Sequence, residues 1–297
     1  LKHALSTLLL SFFLLPSVLF GQGNGPAGHG ARAQGLGNAS SALSGEVWAA
    51  ANNAAGLAGL STPLVGVYLE NLYLLPSLNA TAVALALPLG EVEPATAALP
   101  ARAGNGVLGF EAQRFGGILY NEIKVGIAYG YRLGAVSVGG RLDALQVSFQ
   151  DLGSRRTLAA SLGGQAELLP RRLTLGVYLY NLTQARLADY QDERVPTVLR
   201  AGLAYLPGKQ VLLLAEAEKD VERPAGMKAG LEYLPAEAVA VRLGYASGSQ
   251  QTTAGVGIRA GSFRFDYAAG WQAALGLSHY FSLSWHLGPG EPGNEKP

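Results

Sequence analysis

The chain has 297 residues, room for one large β domain or two ordinary ones, with 40 glycines and a net charge of +1. Only 14% of its residues are charged, against about 25% in an ordinary soluble domain, and the near-neutral balance leaves no electrostatic footprint for a nucleic-acid partner. It contains no cysteine, which excludes disulfides and thiolate metal sites.

Residues 1–21 have the pattern of a secretory signal, with Lys2 and His3 at a basic start, apolar Ala4 to Phe20, and small Gly21 before Gln22. The competing reading is an N-terminal membrane anchor, because the run is near the lower limit for spanning. No later apolar run is long enough for a helical span. An exported chain of this kind belongs in the periplasm, on the cell surface or in the outer membrane. Residues 22–61 then form a separate segment. Gln22 to Ala27 is a flexible lead-in, and Gly28 to Leu60 is rich in alanine but interrupted by glycine. That predicts short helical pieces, too broken to fold alone, which must pack inside something larger.

Past Thr62 the pattern becomes alternation of period two, the mark of a strand with one apolar and one polar face. Val83, Leu85 and Leu87 alternate with alanines. Ile123, Val125, Ile127, Tyr129 and Tyr131 oppose Lys124, Gly126, Ala128, Gly130 and Arg132. Val136, Val138, Leu142 and Ala144 oppose Ser137, Arg141 and Asp143. After Ala144 the apolar phase flips to Leu145, Val147 and Phe149, which predicts a bulge or a strand end. The same texture continues to Leu287, with turns at Leu206–Lys209, Leu234–Glu237 and Ala246–Ser249. In the last run Leu275, Leu277, Phe281, Leu283, Trp285 and Leu287 lie on one side, and Ser278, Tyr280, Ser282 and Ser284 on the other. About 14 such strands over residues 62–288, apolar on one face and nearly free of charge there, predict an all-β, transmembrane, antiparallel up-and-down barrel with a tail at 289–297.

The opposite face carries Lys124, Arg132, Arg141, Asp143, Glu167, Arg200, Glu216, Glu218, Lys228, Glu232, Arg242, Arg259, Arg264 and Asp266. Interleaved signs fit either a salt-bridged interior that stiffens a narrow barrel or a polar path or ligand cavity. In the second case Arg132, Arg141, Asp143, Arg200, Glu216, Lys228, Arg242 and Arg259 are the candidate lining. His279 falls on the apolar face. A lipase would pair it with a serine, but Ser278 and Ser282 point the other way by alternation, so an interfacial histidine is expected there, and an interfacial or lumenal one rather than a metal ligand at His286. Gly104 to Gly109 matches GxGxxG but runs from a loop into a strand, without the strand-to-helix context of phosphate binding. Asp189, Asp192, Glu193 and Arg194 read as a solvated loop rather than a metal site. No cofactor is implied.

The block Gly30-Ala31-Arg32-Ala33-Gln34-Gly35-Leu36-Gly37-Asn38-Ala39, followed by Asn53-Ala54-Ala55-Gly56-Leu57-Ala58, resembles the hatch signature of PorV/PorQ-like outer-membrane proteins, relatives of the FadL long-chain fatty-acid channel. Gly176 to Leu182, Val195 to Tyr205, and Gly276 to Ser284 resemble later strands of that family. Two positions depart from it: Ala54 stands at the family proline, and Gly45-Glu46 where an acidic pair is usual. The resemblance implies a 14-stranded barrel with a short N-terminal hatch in its lumen, marked here by Arg32, Gly35, Gly37, Asn53 and Gly56. It implies outer-membrane lipid as surroundings, and either a type IX secretion translocon with its cargo, or a hydrophobic small molecule, as partner. A barrel-borne lipid hydrolase is the remaining, weakest hypothesis. A channel should show an apolar pocket continuous with a gap in the wall. A secretion partner should be plugged, with an apolar patch outside.

Overall fold

The computed structural model describes residues 25, 28–93, 102–188 and 193–288. The expected signal and C-terminal tail lie outside the described residues. Fourteen strands form one closed barrel: β1 Leu64–Asn71, β2 Asn79–Pro88, β3 Val107–Gly116, β4 Tyr120–Leu133, β5 Val136–Phe149, β6 Gly153–Leu169, β7 Leu173–Tyr180, β8 Val198–Tyr205, β9 Val211–Asp220, β10 Gly226–Ala236, β11 Val239–Ala246, β12 Gln251–Ala260, β13 Phe263–Gln272 and β14 Gly276–His286. Each pairs antiparallel with its sequence neighbour, and β14 returns to β1 through pairs from Leu64↔His286 to Asn71↔His279. Closure leaves the wall without an edge, so its backbone groups are paired with no help from water.

The alternation decides which side faces out. Val67, Val83, Ile127, Leu203, Leu243, Val256 and Leu283 are exposed on the outer wall. Their inward neighbours, such as Tyr68, Ala128, Arg242 and Ser282, are buried. Apolar outside and polar inside is the reverse of a water-soluble barrel, and only hydrocarbon surroundings make it stable. Aromatic side chains bound this belt. Tyr205, Tyr233, Phe263 and Trp285 lie toward the end that holds the start of β1 and the end of β14, with Phe263 stacked on Trp285 at 5.6 Å. Tyr245 and Trp271 lie toward the other end. Phe263 and Trp271 share the outer face of β13 and are separated by about 26 Å along the strand, about 20 Å of height at the usual strand tilt, so they fit near the two rims of an outer-membrane belt about 25 Å tall.

Two register shifts interrupt the wall, between Glu167 and Leu169 on β6 and between Tyr233 and Ala236 on β10. The second contains Pro235, which has no N–H to give to a ladder. The shift or strand end expected after Ala144 is absent. β5 runs on to Phe149 with unbroken register against both β4 and β6. Leu145 and Val147 therefore point inward, where they are buried. Part of the lumen is itself apolar there, and an apolar lumen and lipid select the same residues.

Turns at the terminal end, after β4, β6, β8, β10 and β12, have two to five residues. The exception follows β2, where Val92–Glu93 and Arg102–Ala103 form a small ribbon. At the far end the longest loop joins β7 to β8 and carries a second ribbon, Arg186–Ala188 with Glu193–Arg194.

The N-terminal segment fills the barrel. Its pieces are α1 (Ala31–Gly35), α2 (Ala49–Asn52) and a 3-10 turn at Ala54–Gly59. Val47, Trp48, Ala50, Ala54 and Leu57 pack on Leu64 and Tyr68 of β1 and on Ala82, Ala84 and Ala86 of β2. Leu36, Ala39 and Leu43 pack on Ala204, Leu212 and Leu214 across the lumen. Small inward residues leave the volume that the hatch occupies.

Candidate functional site

Three ion networks tie the hatch to the wall. In the first, Arg32 of α1 forms a forked pair with Glu232 of β10, Nη2 at 2.6 Å from Oε1 and Nε at 3.1 Å from Oε2. Arg242 of β11 reaches the same carboxylate at 2.5 Å and Asp266 of β13 at 2.8 Å. Arg264 holds Asp266 at 3.0 Å, and Glu46 lies 3.6 Å from Arg32. Burial raises the Glu46 carboxyl above its usual range, with Arg32 opposing.

In the second network Glu216 of β9 accepts the backbone N–H groups of Ser40 and Ser41 at 3.0 and 2.8 Å. Lys228 of β10 approaches Glu216 at 3.1 Å and Glu218 at 2.6 Å, and Arg200 of β8 donates to Glu218 at 2.6 Å. A wall carboxylate thus clamps the hatch backbone while two wall cations neutralise it.

The third network centres on Arg141 of β5. It donates to Asp143 at 2.8 Å, to Glu111 of β3 at 2.5 Å, and to the Ala50 carbonyl of the hatch at 2.6 Å. His29 Nδ1 stands 3.2 Å from Glu111. Burial lowers the His29 pKa to about 4, with Lys124 and Arg141 adding to the effect and Glu111 opposing it. Asn52 holds the His29 backbone through both its amide N–H and its carbonyl. Elsewhere Arg132 pairs with Glu167, apart from the hatch.

The expected hatch residues hold it by closeness as well as by charge. Gly37 has φ +67, lies against the backbone of Tyr245 and Ala229, and donates its N–H to Thr253. Gly56 crosses the Leu43 carbonyl, and Gly35 packs on Gly255. Asn53 donates to the Ser41 carbonyl at 2.6 Å and to Val177 at 3.3 Å. Gln165 of β6 donates to the carbonyls of Ser41 and Leu43. The wall answers with inward glycines. A Cβ on Gly176 would collide with Ser41, one on Gly244 with Gly37, and one on Gly139 with Ala54.

The far end is also covered. Asn181 (φ 53) takes N–H and O–H donors from Ala185 and Thr183 and donates to Val195, folding the β7–β8 loop inward. Ala185 and Val195 are thereby buried on Leu145, Tyr178 and Tyr180. From the β1–β2 loop, Tyr73 bonds Gln272 and Ser278. A cavity of about 1150 Å³ lies at the terminal end, from Arg32 of the hatch to the turns around Lys209, Glu237 and Gly261, with Arg242, Arg259 and Arg264 along it. Charged side chains share its lining with Leu234, Ala238 and Ala240, and every neighbouring strand is paired, so among the described residues the cavity opens into no gap in the wall.

His279 does not meet a serine. Its ring stacks on Tyr267 of β13 and its Nδ1 is 2.8 Å from that hydroxyl, whereas Ser278 and Ser282 face the lumen. His286 bonds Thr62 at the terminal rim. Gly104 and Asn105 form a turn into β3. Asp189 and Asp192 lie outside the described residues. Sequence reasoning missed His29 and Glu111. His29 directly precedes the Gly30-Ala31-Arg32 block, and Glu111 is the one charge on the inward side of β3, both visible signals.

No protein-family model matches the sequence, and no curated protein sequence matches it. Among solved structures the chain is similar to the Pseudomonas putida toluene transporter TodX, with a TM-score of 0.60 and 11% identity over 87% of this chain and 98% of that one. A TodX monoaromatic hydrocarbon channel deltaS2 mutant gives a TM-score of 0.64 at 11% identity, over 88% and 99%. At that identity the likeness is one of fold, and the fold shared is that of an outer-membrane β-barrel.

Proposed function

We propose that the protein is an outer-membrane channel for hydrophobic small molecules, held closed by its N-terminal hatch, with the terminal end facing the periplasm. The observation that carries the reading is a segment docked inside a closed barrel through buried ion pairs and glycine contacts, so that moving it would open a bore lined by apolar as well as charged side chains. The TodX likeness, over nearly the whole of both chains, supports the hydrophobic class of solute. The short turns at the terminal end support the orientation.

A lock tests it. A Cβ on Gly35 would lie 3.4 Å from the Ala268 Cβ of β13, about the spacing of a disulfide, and the native chain has no cysteine to interfere. In proteoliposomes the Gly35→Cys/Ala268→Cys pair should block toluene flux when oxidised and restore it when reduced. Equal flux in both states would sink hatch gating.

A second reading, an accessory barrel serving a type IX translocon and its cargo, draws support from the gapless wall and from exposed Ile118, Leu119 and Leu152 at the far tips. Neither TodX structure named above corresponds to it. Purification in mild detergent separates the two: a large translocon barrel accompanies the protein in one case, a bound hydrophobic compound in the other.

A further inference from the structure

We infer that the terminal-end cavity is a binding site for an oxyanion, the carboxylate or phosphate group of a small molecule. The inference rests on the cavity and holds whether or not the hatch moves.

The lining brings together Arg32, Lys209, Arg242, Arg259 and Arg264 against two carboxylates, Glu232 and Glu237. Glu46 and Asp266, which pair with those arginines, still leave five cations to four carboxylates among the described residues of the site. The sharing is uneven. Glu232 serves Arg32 and Arg242 and has Arg264 only 4.0 Å away, so three guanidinium groups converge on one carboxylate. Arg242 is buried to 1% exposure, and its Nη1 has no hydrogen-bond partner among the described residues. That nitrogen lies over Gly257, which lines the same cavity.

Guanidinium groups offer planar pairs of N–H donors that match carboxylate and phosphate oxygens. In a walled cavity their field is screened less than at an open surface. At about 1150 Å³ the space accepts a molecule much larger than a bare ion. Its floor is the hatch, since Arg32, Ser44 and Gly45 belong to the lining. An oxyanion drawn to these arginines would therefore share them with Glu232, the residue that holds α1.

Purified full-length protein in a non-ionic detergent can be titrated calorimetrically with inorganic phosphate, acetate, phenyl phosphate and benzoate, with benzyl alcohol as the neutral control. The expected result is saturable binding of at least one anion, weakened by salt, and none of the alcohol. Arg259→Gln/Arg264→Gln should lower the affinity about tenfold or more. Leu234→Trp, which fills the cavity without removing a charge, should do likewise, and Lys219→Gln on β9, away from the cavity, should not. Heat-dependent gel mobility reports whether each variant keeps its barrel, and Leu234→Trp serves if the double variant does not fold. Absence of saturable binding by all four anions overturns the inference, as does affinity unchanged in the folded cavity variants. A failed hatch lock with anion binding intact would remove the gating mechanism and leave this site standing.

Discussion

His29 turns the lumen into a pH-dependent clasp. An ordinary histidine titrates near 6.5, whereas burial holds this one at about 4. The undocked hatch therefore binds more protons than the docked hatch between those values. Docking is strongest above pH 6.5, weakens as pH falls through the window, and levels off below 4. The full effect is roughly 3 kcal/mol. Lys124 of β4 and Arg141 of β5 work with burial, and Glu111 and Gln113 of β3 against it. Glu46 leans the other way, since its raised carboxyl favours docking in acid. Comparison with His29→Gln isolates the imidazole. Protease should release the hatch faster at pH 5 than at pH 7 in the native protein, and the difference should shrink in the variant. Equal acid sensitivity in both would remove His29 from the account.

At the scale of elements, strand and hatch meet where neither has a side chain. Gly176 of β7 lies against the Ser41 carbonyl, and a backbone neighbour cannot swing aside. Gly176→Val should therefore cost docking about 3 kcal/mol or more while leaving the barrel closed. Gly208→Ala, in an open turn with nothing within 4 Å, should cost nothing comparable. Heat-dependent mobility reports the barrel and protease sensitivity reports the hatch, so an intact barrel with an exposed hatch is the expected pair of results. A resistant hatch in Gly176→Val would show that the contact does not matter.

These contacts also mark where the sequence stops being legible. Alternation over Ile123–Arg132 gives strand, face and charge placement at once, because side-chain direction is a local property. The partner of Arg32 is Glu232, two hundred positions away, and no local pattern records that. The glycines of β7 and β11 read as weak strand residues until the hatch is seen against them. Leu145 misleads for another reason: it faces an apolar corner made by Tyr178, Tyr180 and a loop that folds back over the mouth.

For the molecule as a whole the outer belt sets the surroundings. Val256 lies mid-strand on β12 and points outward, 44% exposed. In a bilayer, Val256→Arg should destabilise the barrel by about 2–4 kcal/mol, measured by urea unfolding in lipid vesicles. Ser249→Arg, in the β11–β12 turn, should be close to neutral. Equal penalties at the two positions would mean that the belt does not meet hydrocarbon.

The seam between β1 and β14 carries a last consequence. It joins residues more than two hundred positions apart, and contacts so remote in sequence form late. The hatch precedes the whole wall along the chain. A hatch made first is already at hand when the first strand zips to the last. The seam encloses it without sealing it in, because the mouth at the terminal end stays open beside it.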